Sequence, residues 1–144
     1  MIPNRVKYAL RALLDLSLLN DGASTHAQAI AQRQSIPVKY LEQILRQLKQ
    51  AGFLRGRSGP GGGYSLAFPP ERINLYEVIS QLEGATLRSC TDIASCGCSD
   101  VCAVQSVFVE AENAFFSVIE SLTLADLRSR HEKLHSIESV SWVI

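Results

Sequence analysis

Four cysteines, Cys90, Cys96, Cys98 and Cys102, fall within thirteen positions, and this chain of 144 residues has no others. Thiolates are soft donors that suit iron–sulfur clusters and zinc, and four is the usual ligand number for either. Zinc sites commonly pair cysteines two to four residues apart. The gaps here are five, one and three residues, a poorer match to zinc. Structural disulfides are disfavoured in a reducing cytoplasm, but neighbouring thiols can exchange, so a thiol–disulfide sensor stays open beside a metal cluster. So does a loop of chemically idle cysteines. The histidines, His26, His131 and His135, read as surface residues.

Hydrophobic residues make up 47% of the chain and charged residues 19%, which fits one globular domain or a small domain with an appendage. The opening Met1-Ile-Pro-Asn-Arg does not read as a secretion signal, and no apolar run reaches the length of a membrane span. The expectation is a soluble cytoplasmic protein with no membrane partner. The net charge of zero hides an asymmetry. Residues 1–57 carry nine Lys/Arg against three Asp/Glu, a balance of +6, and residues 58–144 carry five against eleven, a balance of −6. That division suits a basic nucleic-acid-binding half and an acidic regulatory half, although unevenly solvated surface would give the same count. No nucleophile motif, paired-carboxylate constellation or cofactor loop is present, so the chain does not read as an enzyme.

The elements before the cysteines read as a DNA-binding unit. Residues 4–19 form a helix on the spacing of Val6, Leu10, Leu13, Leu14 and Ser17, stopped by Asn20-Asp-Gly-Ala. Thr25-x-x-Gln28 has the form of a capping box, opening a short helix with Ala27, Ile30 and Ala31 turned inward. Gln34-Ser-Ile-Pro37 is the next turn, with Ser35 suited to a cap and Pro37 to a first helical turn. Residues 37–51 then place Val38, Leu41, Ile44, Leu45 and Leu48 in one stripe, with Lys39, Glu42, Gln43, Arg46, Lys49 and Gln50 opposite. Two helices across a tight turn, the second bearing Gln and Arg that can pair with base edges, fit a helix-turn-helix. A solvated amphipathic helix is the plain alternative. The segment from Gly52 to Ala67 reads as strand, Gly-rich turn and strand, the wing of a winged helix. Arg55 and Arg57 stand beside a tip, including Gly61 and Gly62, able to approach a phosphate backbone or narrow groove. As a nucleotide-binding loop the tip fails, because no Lys-Ser/Thr follows it.

Pro69 and Pro70 close the hairpin, and residues 75–82 form a helix with Leu75, Val78, Ile79 and Leu82 on one face. Beyond the cysteines, Val104, Phe108, Ala111, Phe115, Val118 and Leu122 alternate steps of four and three, as in a coiled-coil seam. This predicts a dimerisation helix, and a two-fold dimer would present paired recognition helices to a pseudo-palindromic operator in double-stranded DNA. A last short helix is expected over Leu124–Leu134, with Ser136–Ile144 a loose tail. The expected class is mainly α with a small β-wing: a winged helix-turn-helix domain over 1–84, a cysteine-rich loop over 85–103, and the dimerisation helix and tail over 104–144.

Four stretches in this order resemble the Rrf2 family of winged-helix transcriptional regulators: Tyr8-Ala-Leu-Arg-Ala-Leu13, Tyr40-Leu-Glu-Gln43, Gly59-Pro-Gly-Gly-Gly-Tyr64, and the spacing Cys90-x5-Cys96-x5-Cys102. The resemblance spans nearly the whole chain. It implies a homodimeric transcription factor, in the first instance a repressor, whose DNA affinity follows an iron–sulfur cluster. Cys90, Cys96 and Cys102 would be ligands of that cluster, with 2Fe-2S favoured over 4Fe-4S, and Cys98 would be the fourth ligand or a spare thiol. It assigns DNA contact to Lys39, Tyr40, Glu42, Gln43 and Arg46 on the helix and to Arg55, Arg57, Gly61 and Gly62 on the wing. Glu42 is a candidate gate on site choice. The chain departs from its relatives at three points. Gln105 stands where one branch has a ligating histidine, Lys7 where another has an acidic residue, and Ser58 where arginine often precedes Gly-Pro-Gly. The rival readings are a cluster-free thiol-redox regulator and a family member that acts by contact with a metabolic enzyme.

Overall fold

The computed structural model describes residues 2–84 and 102–141. Its elements are α1 (Asn4–Ser17), α2 (Ala27–Gln34), α3 (Val38–Gln50), β1 (Leu54–Arg57), β2 (Gly63–Leu66), a single 3₁₀ turn (Pro70–Arg72), α4 (Leu75–Glu83), α5 (Ala103–Glu120) and α6 (Leu124–Ser141). This is the expected class, helices with a two-stranded antiparallel wing.

The core forms where α1, α2, α3 and α4 meet. Leu13, Ile30, Leu41, Ile44, Leu45, Leu48 and Val78 are all fully buried there. The inward stripe of α1 is broader than the leucine spacing suggests. Val6, Leu13 and Ser17 are buried as expected, Leu10 and Leu14 are half-buried, and Ala9, Ala12 and Leu16 complete the face. Beneath it, Arg33 of α2 donates to both carboxylate oxygens of Asp15, the shortest bond being 2.7 Å, and Gln34 Nε2 adds a third donor at 3.0 Å. Asp15 can therefore be buried because its charge is shared with three N–H groups.

Three local expectations are corrected. No capping box forms at Thr25 and Gln28: α2 starts at Ala27 behind His26, without a side-chain cap. The backbone of Thr25 instead exchanges hydrogen bonds with Tyr64, at 3.0 and 2.8 Å, adding a third chain segment beside β2. Ser35 does not cap α3. It closes α2 in the left-handed region at φ 52°, and Pro37 precedes the first turn of α3 instead of lying in it. The last helix does not stop at Leu134, and Ser136 is no loose tail, since α6 continues to Ser141.

α4 buries Leu75, Val78, Ile79 and Leu82, as its spacing requires. Its cap, Asn74, accepts from the N–H groups of Tyr76 and Glu77, while its amide donates to the Glu120 carbonyl at 2.8 Å. Leu75 N–H to Leu122 O and Leu124 N–H to Ile73 O, at 3.0 and 2.8 Å, complete a seam that ties the α5–α6 corner to the start of α4. Leu124 is fully buried in the main core and Leu127 packs on it, so α6 returns to the helices at the start of the chain. Among the described residues, no helix is long and apolar enough to cross a membrane.

Candidate nucleic-acid interface

The recognition candidate α3 is held from beneath by its leucines. Leu41, Ile44, Leu45 and Leu48 face the core, whereas Val38, expected in the same stripe, is exposed at the helix entrance. The opposite face leaves Lys39, Gln43, Arg46, Gln47, Lys49 and Gln50 in solvent. Tyr40 is half-buried and meets Tyr8 of α1 edge to face, with ring centroids 5.7 Å apart, and the Arg11 guanidinium lies 6.0 Å over the Tyr8 ring. Glu42 is half-buried, with Lys39 Nζ 3.8 Å away. Exposed pairs of this kind contribute roughly 0–1 kcal/mol, so a DNA phosphate could take Lys39 from Glu42 at little cost.

The N-terminal positive charge is sorted by the fold. Arg5 is engaged by Glu83 at 3.2 Å and by the Leu82 carbonyl, Arg11 by the Gln34 carbonyl, and Arg33 by Asp15, whose hydrogen bond raises the Arg33 pKa. Arg46, Lys49, Arg55 and Arg57 have no ion-pair partner among the described residues, and all four lie on α3 or the wing. Lys7 of α1 likewise has none, and Arg11 keeps its charge, since its partners are uncharged Gln34 oxygens.

The wing is set by two backbone constraints. Gly63 has φ 112°, and a Cβ there would collide with the Thr25 carbonyl. At Gly62 a Cβ would collide with the carbonyl of Arg57 across the turn. Ser24 Oγ donates to the Gly61 carbonyl at 3.0 Å and braces the tip. The structure brings Arg55, Arg57, Gly61 and the exposed polar residues of α3 to the protein surface, with Gly62 buried inside the turn. Lys49 and His26 were outside the expected contacts. The Lys49 side chain lies across β1, and a Cβ on Gly56 would be 2.9 Å from its Nζ. A glycine inside a strand is the sequence signal for such a close approach.

Of the four cysteines, Cys90, Cys96 and Cys98 lie outside the described residues. Cys102 is half-buried at the N-cap of α5, its carbonyl accepting from Ser106 N–H at 3.0 Å, and Gln105 follows in the first turn. From Cys102, α5 runs to its anchor on α4, where Phe116 is buried and meets Tyr76 edge to face at 5.6 Å. Along its exposed face Val104, Phe108 and Val118 are 63%, 54% and 56% accessible, with Ala111 also exposed. Phe115 is half-buried, 5.3 Å from Phe116, and Leu122 is half-buried past the helix end.

A family model described as "Rrf2: Iron-dependent Transcriptional regulator" matches residues 2–130. The chain is 34% identical over 128 residues to Protein rrf2 of Nitratidesulfovibrio vulgaris, covering 88% of this chain and 85% of that one. Among solved structures it is similar to T. potens IscR, at 28% identity and TM-score 0.78, covering 93% of this chain and 90% of that one. It is also similar to CymR (YrzC), the global cysteine regulator of B. subtilis, at 27% identity and TM-score 0.77, covering 90% of this chain and 97% of that one.

Proposed function

The chain belongs to the Rrf2 family of helix-turn-helix transcriptional regulators, and on that premise we propose that it is a homodimeric repressor whose DNA affinity is set by an iron–sulfur cluster at Cys90, Cys96 and Cys102. The single observation that carries this reading is that Cys102 is the N-cap of α5 and that this helix presents an exposed apolar face. A cluster ligand and the dimer seam then belong to one continuous element, so a change at the thiolates can reorient the paired reading heads.

The donor set fits the group. Clustered thiolates are the ordinary ligands of 2Fe-2S and 4Fe-4S centres, and Cys102 sits at the N-cap of α5. The cluster would supply a thiolate-bound redox centre whose presence or oxidation state differs between two conformations of the regulator. Cys98 would complete the ligand set or stand beside it, since neither Gln105 nor Lys7 offers a good iron donor. Control requires only that the two conformations differ in DNA affinity.

The rest of the reading concerns this chain's own residues. Val104, Phe108, Ala111, Phe115, Val118 and Leu122 would pair α5 with its copy. Gln43 and Arg46 would meet base edges in the major groove, with Lys39 and Tyr40 on the flanking backbone, Glu42 excluding sites that place a phosphate or guanine edge against it, and the wing through Arg55, Arg57, Gly61 and Gly62 on the adjacent backbone or minor groove. The two-fold axis of the dimer would match a pseudo-palindromic operator.

The test is the visible absorption of protein purified without oxygen, beside a Cys96→Ser variant. Broad absorption between about 320 and 460 nm, with iron and acid-labile sulfide, lost in the variant, is expected. A wild-type protein that stays colourless after reconstitution with iron and sulfide overturns the cluster reading and leaves a thiol-redox regulator.

A further inference from the structure

Beside the base-reading face lies a cleft of about 270 Å³ at the foot of the wing, lined among others by His26, Lys49, Arg57, Ser58 and Tyr64. Its walls come from three separate elements: the residue preceding α2, the last turn of α3, and the wing. No carboxylate lines it. Lys49 and Arg57 have no ion-pair partner among the described residues. The arrangement is also built in. Lys49 lies against Gly56, where a Cβ would come within 2.9 Å of its Nζ, and His26 is held there because the Thr25 backbone is paired to Tyr64 of β2 through both its N–H and its carbonyl. Two cations beside one small concavity repel one another unless an anion lies between them.

We infer that this cleft is a clamp for a single backbone phosphate of the DNA, held jointly by Lys49 and Arg57 with His26 as a hydrogen-bonding third wall. The clamp rests on the DNA-binding reading and deepens it. One phosphate shared between the end of α3 and the wing fixes the distance between the two reading elements, so the clamp sets register on the duplex and carries no base preference of its own. A tetrahedral, singly charged phosphodiester suits the pocket: it accepts from several directions, and Ser58 offers a hydroxyl at the rim.

The sharing makes the clamp testable against two independent contacts. Each neutralised phosphate contributes about 0.9 to the slope of log affinity against log salt on duplex DNA. Binding of a fluorescein-labelled random-sequence duplex would be measured across a salt series for the full-length wild type, Lys49→Gln, Arg57→Gln and the double variant. A shared phosphate predicts that each single variant loses up to one contact's worth of slope and that the double variant loses no more than about one in total. His26→Gln, which keeps a donor, should change the slope little, while His26→Ala weakens binding. Losses that sum to about two in the double variant show separate phosphates and overturn the clamp, as does an unchanged slope in the double variant. Failure of the wild type to bind any duplex would overturn the DNA-binding reading itself, a result separate from either of these. The substituted side chains reach into solvent, and circular dichroism of each variant confirms the fold before its slope is read.

Discussion

Arg33 grips Asp15 from the neighbouring helix with three hydrogen bonds, the shortest 2.7 Å, while the Asp15 side chain is only 6% exposed. The pair fastens α2 to α1 and so sets the platform from which α3 departs. A buried carboxylate left without its cation is costly. Arg33 is partly open to solvent and Gln34 continues to donate to Asp15, which moderates the loss. Arg33→Ala should destabilise the protein by about 1–3 kcal/mol, measured as a shift in the urea midpoint, and Asp15→Leu should be milder than Asp15→Ala. Because the bond to Asp15 raises the Arg33 pKa, the stabilisation is complete below the ordinary arginine range and lost only above it. The midpoint difference should therefore not vary between pH 6 and 9.

The wing predicts a loss of function without unfolding. Gly63→Ala forces a Cβ into the Thr25 carbonyl at a backbone angle that side chains avoid. The wing must then move away from the start of α2. DNA affinity should fall by about tenfold or more, equivalent to roughly 1.4 kcal/mol, while the helical circular dichroism signal stays the same. Unaltered affinity would mean that the wing does not touch DNA.

Much of this arrangement was legible in the residues, and the misses share a cause. The leucine stripe of α3 and the glycine-rich hairpin follow from local periodicity and turn chemistry, and both elements form where expected. Thr25 and Gln28 satisfy a capping pattern, but Tyr64, thirty-nine positions later, captures the Thr25 backbone. Ser35 adopts a left-handed conformation usually taken by glycine or asparagine, so its sequence context pointed to the wrong helix end. α6 overruns its expected end because Leu134 and Ile137 remain exposed and give no inward stripe to follow. Lys49 lies against Gly56, and although a glycine inside a strand signals a close approach, it does not say which residue makes it. Cys90, Cys96 and Cys98 stand outside the described residues.

α6 carries its own pH dependence. Thr123 N–H and Oγ1 both donate to Asp126 Oδ2 at 2.8 Å, and Asp126 N–H donates back to Thr123 Oγ1 at 3.3 Å. These bonds, that from the Thr123 backbone first, lower the Asp126 pKa. A lowered folded-state value means the contribution is present above the ordinary carboxylate range and is lost as pH falls through the lowered value. Protection factors for amide exchange in the first turn of α6, taken relative to the intrinsic rate at each pH, should fall on acidification below that range, and Asp126→Asn should flatten this response. An identical acid profile in the variant would assign the change to another group.

Phe108 is 54% exposed in the protomer, so replacing it with aspartate leaves the core intact. In a dimer built on α5 the same substitution places a carboxylate in an apolar seam, where burial of an unpaired charge is prohibitive. Sedimentation equilibrium should report a dimer for the wild type and a monomer for Phe108→Asp, with unchanged helical content and much weaker operator binding. A variant that remains dimeric would move the interface elsewhere.

The central claim is that thiolate chemistry at one end of α5 governs DNA affinity at the other side of the molecule. The most direct measurement is the equilibrium affinity for a selected operator duplex, determined without oxygen at fixed salt, for the cluster-loaded protein, the same protein after chelation, and Cys96→Ser. The account predicts that loading changes affinity by about tenfold or more, a coupling of at least about 1.4 kcal/mol, and that the variant behaves as the chelated protein throughout. Equal affinity in all three, with the cluster demonstrably bound in the first, would contradict it.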